Sequence, residues 1–164
     1  MPKKPSFMDV ITMPSTDSLI DTLRHAHGDI TFVAGEHFEW SPSKRTITYD
    51  PDDAYLDAHL LHELGHALLG HSGYERDIDL IAMERDAWQK AKVELADMYG
   101  VPFAGEIVHH DMDTYRDWLH ERSTCPHCDS SGIQVAKHEY KCVTCRKKWR
   151  VNEARSCQLR RYSA

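Results

Sequence analysis

Nothing in the sequence is apolar for long. The longest such runs, Leu60-Leu61 and Ala67-Leu68-Leu69 among them, fall far below the roughly 20 residues that a membrane-spanning helix needs. No membrane partner is therefore expected. Lys3 and Lys4 lead into Pro5 and Asp9 instead of an apolar core, so a secretory leader is not expected either. No internal repeat and no low-complexity tract interrupts the chain. Cysteine is sparse: of five in 164 residues, four crowd between positions 125 and 145, a spacing for metal and not for scattered bridges. Without a leader, that usage points to the reducing cytoplasm.

What remains has the composition of a soluble globular protein. Hydrophobic residues make up 41% and charged residues 28%, enough for a core, and the length allows one ordinary domain with a small appendage. The formal net charge of -6 conceals an asymmetry. Residues 125–164 carry nine Lys/Arg against three Asp/Glu, a net +6, which leaves eleven basic and twenty-three acidic residues, a net -12, for the rest. Two parts of opposite sign suggest two functions, or one part docked on the other.

Residues 1–14 read as a loose, proline-punctuated arm. A helix is expected next, capped by Ser15, Thr16 or Asp17, with Leu19, Ile20, Leu23 and Ala26 on one face and Gly28 as its stop. Extended segments at 30–34, 37–40 and 46–50 follow. The last two flank Ser41-Pro42-Ser43-Lys44, which predicts a hairpin. Helical periodicity predicts helices over about 53–71, over 79–99 and over 111–121. After Ser123-Thr124 the chain turns cysteine-rich and basic. The expected organisation is an arm over 1–14, a first domain over 15–123 and a second over 124–164.

The sharpest chemical signal is His62-Glu63-Leu64-Gly65-His66. On a helix, positions i and i+4 share a face, so both imidazoles project together and can hold a tetrahedral metal such as zinc. Glu63, beside the first ligand, is placed to take a proton from a metal-activated water and pass it to a leaving amine. Leu60, Leu61, Ala67, Leu68 and Leu69 are expected to bury the helix, and Gly65 to admit a close neighbour. Two surface histidines with an incidental glutamate would give the same five letters, but that apolar setting argues against it.

The third ligand is less direct. A metzincin extension needs Gly at 69 and His at 72, where this chain has Leu69 and Ser72. His71 sits about 140° from His66 on a continuing helix, so it reaches the same face only across a chain break; as a polar residue at the helix end it has a simpler explanation. Glu84, on the next helix after a short loop, is the better candidate, with Asp86, Glu75, Asp77 and Asp79 as rivals. An oxyanion-stabilising group is also expected, from His109, His110, Tyr115 or Tyr74.

The run from Leu61 to His71, with Glu84, Asp86 and Ala87 following, resembles the gluzincin zinc peptidases, nearest the ImmA/IrrE-type and minimal gluzincins, over about residues 28–100. The resemblance implies a compact α+β zincin-like domain with a small twisted sheet, an active-site helix and a glutamate helix. It also implies that the strand at 46–50 takes an extended peptide by strand addition. One departure stands out. Many gluzincins have an Asp, four residues after the ligand Glu, that orients the first His; here that residue is Trp88, leaving Asp86 or Asp57 for the task.

Cys125-Pro126-His127-Cys128 and Cys142-Val143-Thr144-Cys145 form two C-x2-C knuckles, the signature of a zinc ribbon with a closed, structural site. Residues 132–140 and 146–151 read as its strands, and Cys157 as a free thiol. Within the ribbon, Lys147, Lys148, Trp149 and Arg150 are candidate contacts for substrate or nucleic acid, with Tyr140 and Trp149 available to stack on a base. Docking of the basic ribbon on the acidic domain explains the same charges. SprT-like peptidases also join HExxH to a C-terminal ribbon, but they supply a third His that the surroundings of His71 match poorly. The expected function is a cytoplasmic zinc endopeptidase with one catalytic and one structural Zn2+, acting on a protein or peptide. The alternative is a nucleic-acid-binding or adaptor ribbon protein whose zincin domain is inactive.

Overall fold

The computed structural model describes residues 16–155 and 157–163. The arm at 1–14 and the choice of first-helix cap lie outside the described residues. Helix α1 (Thr16–Ala26) buries Leu19, Ile20 and Leu23, an i, i+1, i+4 stripe that makes one face apolar. Strands β1 (Thr31–Ala34), β2 (Glu39–Ser41) and β3 (Thr46–Tyr49) form a sheet in the order β1-β3-β2. The expected hairpin is present, since β2 runs antiparallel to β3, and β1 pairs with β3 in parallel. Phe32, Ile47 and Tyr49 point into the core from alternate positions. Because β3 is paired on both sides, it has no free edge to accept a peptide. The strand addition expected at 46–50 is thereby corrected: the open edges belong to β1 and β2.

Helix α2 (Leu56–Leu68) buries Leu60, Leu61 and Leu64 completely. Leu68 and Leu69, expected in the core, are instead 44% and 43% exposed, because the helix ends there and Gly70 turns the chain with φ +68°. Helix α3 (Asp77–Lys90) continues through a π-helical turn (Ala91–Leu95) into α4 (Ala96–Tyr99), which Gly100 ends at φ +65°. This rod matches the helix expected over 79–99. Helix α5 (Gly105–Ser123) starts about two turns earlier than expected. Its first turns hold Ile107 and Met112 against Trp88 and Ala58, a tertiary contact that overrides the weak helical pattern around His109-His110. His59 ties α2 to α5, bonding Asp53 at 2.9 Å and Asp111 at 3.0 Å.

The second unit is an antiparallel sheet of β4 (Gly132–Ala136), β5 (Glu139–Cys142), β6 (Lys148–Val151) and β7 (Arg161–Ser163), in chain order. Tyr140 and Trp149 stack at its centre, 5.6 Å apart. The sheet is fastened to the helices by a buried polar cluster. Arg122, near the end of α5, bonds the Asp77 carboxylate through Nε at 2.6 Å and Nη2 at 3.1 Å. Tyr140 donates its hydroxyl to the same carboxylate at 2.5 Å, and Trp149 Nε1 donates to Arg122 O at 3.0 Å. The molecule is thus mixed α+β with two small sheets, and the basic unit is docked on the acidic one. Among the described residues, no helix is long and apolar enough to cross a membrane.

Candidate metal centres and their cleft

Helix α2 aims both motif imidazoles at α3, where Glu84 meets them. Glu84 Oε2 lies 3.0 Å from His62 Nε2 and 3.4 Å from His66 Nε2, and the two nitrogens are 3.1 Å apart. All three residues are buried. Metal–ligand bonds of about 2.0–2.2 Å in a tetrahedron separate their ligand atoms by about 3.3 Å, so the three atoms already have the spacing of a shared ion. Lone pairs gathered this closely in a low-dielectric pocket repel unless a proton or cation stands among them. Of the sequence rivals, Asp86 pairs with Arg85, Asp77 with Arg122, and Asp79 accepts the Arg76 N–H; Glu75 is exposed.

The close approach of the helices is set by Gly65. A Cβ there would sit 2.7 Å from the Ala87 carbonyl oxygen, so only glycine lets α3 come near enough for Glu84 to reach. Burial alone would raise the Glu84 carboxyl, yet the His62 and His66 hydrogen bonds outweigh it and hold the group well below the usual carboxylate range.

The outer partners differ from those expected. Gly70 supplies the chain break that His71 needed, and His71 folds back so that its Nδ1 lies 2.8 Å from His66 Nδ1. A metal on His66 Nε2 requires a proton on Nδ1, which His71 Nδ1 then accepts. Burial and the neighbouring His66 lower the His71 pKa, favouring that neutral acceptor. Gly70 beside His71 was the available signal in the sequence. His62 has no such partner among the described residues: its Nδ1 is buried without a hydrogen bond. The Trp88 ring stacks on it instead, 4.2 Å away at 28°, so orientation comes from packing. Asp57 lines a separate cavity beside Tyr49 and Val101.

His66 and Glu84 face a cleft of about 410 Å³ between β2, α2, the loop at 71–74, α3 and α5. Glu63 opens onto it, outside the ligand trio. Burial pushes the Glu63 carboxyl up, partly offset by charge on His62 and His66, and the Trp40 backbone N–H donates to it. The outer edge of β2 therefore looks into the cleft. Of the four oxyanion candidates, Tyr115 and Tyr74 line the cleft. Burial and the Glu84 carboxylate raise the Tyr115 pKa, and the hydroxyl bonds Glu84. His109 lies in another groove with Arg116, and His110 is exposed beside Asp111.

The four knuckle cysteines converge as expected. Cys125 and Cys145 sulfurs are 3.7 Å apart, and those of Cys128 and Cys142 are 3.5 Å apart. Disulfides are excluded by those distances. A tetrahedral Zn–S distance of about 2.3 Å requires about 3.8 Å between sulfurs, so this donor set also fits one ion. Backbone N–H groups of His127, Thr144 and Cys145 point at Cys125 and Cys142 sulfurs. In each knuckle the residue after the second cysteine, Asp129 (φ 55°) or Arg146 (φ 66°), adopts the left-handed conformation that closes the turn.

Of the candidate contact residues, Lys147, Lys148 and Arg150 are exposed, with Lys148 paired to Glu139 at 3.0 Å. Trp149 is corrected: it is fully buried against Tyr140, itself 2% exposed. Neither ring is free to stack on a base, because the small sheet spends both on its own core. Comparison with protein-family profiles, with curated proteins and with solved structures found no match.

Proposed function

We propose that the chain is a zinc-dependent peptidase, with His62, His66 and Glu84 holding the reactive ion and the four cysteines holding a structural one. Two imidazoles and a carboxylate around a cleft suit a catalytic ion, whereas four thiolates form a closed site. The observation that carries the reading is Glu63. It is a buried carboxylate facing the cleft, held by the Trp40 N–H and left out of the ligand trio.

Zinc, when bound, supplies Lewis acidity toward water and toward a carbonyl oxygen. The protein supplies the rest. The environment that raises Glu63 makes it a better base, able to hold a proton from water and release it to a departing amine. The Tyr115 hydroxyl, held on Glu84, lines the cleft and on release from that carboxylate can donate to an oxygen that gains negative charge. An extended peptide fits along the outer edge of β2, which has no strand neighbour among the described residues and where Phe38, Glu39 and Trp40 border the cleft. Burial of Trp149 and Tyr140 weakens the nucleic-acid alternative, which relied on them for stacking.

Glu63→Gln tests the reading. The variant should retain both metals and lose cleavage of an unfolded protein substrate by roughly 10²–10⁴-fold. Undiminished cleavage would remove Glu63, and with it this mechanism.

A further inference from the structure

Among the described residues, the cleft is bordered by three glutamates, Glu39, Glu63 and Glu84, and by no lysine or arginine. Both of its tyrosines, however, are faced by cations from the second unit. The Arg155 guanidinium carbon lies 3.7 Å from the Tyr115 ring centroid and 5.5 Å from that of Trp118. Lys137 Nζ lies 6.0 Å from the Tyr74 centroid. The backbone that carries Arg155 is anchored on both sides. Glu153 O accepts Trp118 Nε1 at 2.8 Å and Arg122 Nη1 at 3.0 Å, while the Tyr74 hydroxyl donates to the Glu153 carboxylate. Residues 153–155 therefore lie against Tyr74 and Tyr115 of the cleft wall, tied to its loop and to α5.

Stacking fixes the plane of a guanidinium but consumes none of its N–H donors, which project outward in that plane. Arg155 is exposed, and among the described residues it forms no ion pair and donates no side-chain hydrogen bond. The Glu153 carboxylate beside it is engaged by Tyr74 and by His138 at 3.5 Å. An arginine held flat with an unused fork matches a carboxylate in geometry and charge.

We propose that Arg155, assisted by Lys137, is the specificity-determining residue of this cleft and selects peptides that bring a carboxylate to its rim beside Tyr74 and Tyr115. The inference rests on the peptidase reading. A polyphosphate backbone suits the cleft less well, because the three glutamates would repel it along its length. A single carboxylate at the rim meets only the cations. That carboxylate belongs either to an Asp or Glu side chain or to a peptide C-terminus.

The test uses the full-length, zinc-loaded Glu63→Gln protein and a labelled octapeptide library. Each peptide is present with Glu or Gln at one position and with a free or amidated C-terminus, and retained peptides are quantified by mass spectrometry. Carboxylate forms should be retained about ten-fold over their amide counterparts, as expected for a charge-assisted pair. Arg155→Gln should bring the ratio near one, Arg155→Lys should keep part of it, and Lys137→Gln should lower it less. Preference within the Glu/Gln pairs assigns the side chain; preference within the free/amidated pairs assigns the terminus. Equal retention of acid and amide forms, retention of none, or a ratio unchanged by Arg155→Gln overturns the proposal. So does retention of a labelled single-stranded oligonucleotide in place of the peptides. Cleavage by the wild-type protein is scored separately. Peptides cut without acid preference overturn the role of Arg155 and leave the peptidase reading standing; peptides retained with acid preference but never cut do the reverse.

Discussion

At the scale of single residues, the two histidines of the candidate metal site are held in different ways. His66 is oriented by the hydrogen bond it donates to a residue five positions later, and His62 by the face of an indole. A hydrogen bond fixes both tautomer and ring angle, whereas stacking fixes only the angle. His71 should therefore matter to metal binding although it touches no ligand position. His71→Ala is expected to weaken the ion at the His62/His66/Glu84 site by about 10–100-fold, leaving the four-cysteine site unchanged. Titration of each site against a competing chelator measures this, and equal affinity before and after would remove His71 from the assembly. The motif histidines and Glu63 were legible in the sequence because their spacing alone puts them together. His71 was not, because its reach depends on one left-handed glycine conformation that reverses the chain.

At the scale of elements, the contact between α2 and α3 determines whether Glu84 arrives at all. It turns on Gly65, against which the Ala87 carbonyl packs. Gly65→Ala forces a Cβ into a backbone atom that cannot rotate away. The expected cost is about 1–3 kcal/mol of overpacking, with α3 displaced and the Glu84 site more easily stripped of its ion. Urea unfolding with and without a chelator reads both effects. Helices α2 and α3 were legible from their apolar periods, and Glu84 from the ligand types that zinc accepts. The position of β3 inside its sheet was not. Strand order follows from a parallel pairing of β1 with β3 across the intervening hairpin, and alternation along a strand does not reveal its neighbours. The same holds for Trp149: basic flanks suggested a surface, but a unit of about forty residues needs its large rings inside.

At the scale of the molecule, the two units share one buried ionic cluster. Arg122 and Asp77 are 0% and 1% exposed in their side chains, and Arg122 also bonds His138 Nδ1 at 3.0 Å and main-chain oxygens of the second unit. Removing one member leaves a buried charge unanswered. Arg122→Leu is expected to destabilise the protein by about 3–5 kcal/mol, seen as a lower urea midpoint and as separate unfolding of the two units. A single unchanged transition would mean that apolar packing alone joins them. The charge asymmetry in the sequence signalled a relation between the units, and it was compatible with docking or with an outside polyanion. The docking contact runs through Asp77, which reads in sequence as one acid among many.

Asp77 begins α3, and Glu84 stands seven residues further along it, two turns of one helix. Helix α5 likewise carries Tyr115 at its middle and Arg122 near its end. The seam at Thr124 is thus a change of composition and not a joint. Chain segments exchanged at that position during evolution or in the laboratory would have to bring a partner for Asp77 and a backbone for Arg122 and Trp118. A library of chimaeras cut at Thr124 is therefore expected to consist mostly of proteins that lack the contacts of Asp77 with Arg122 and Tyr140.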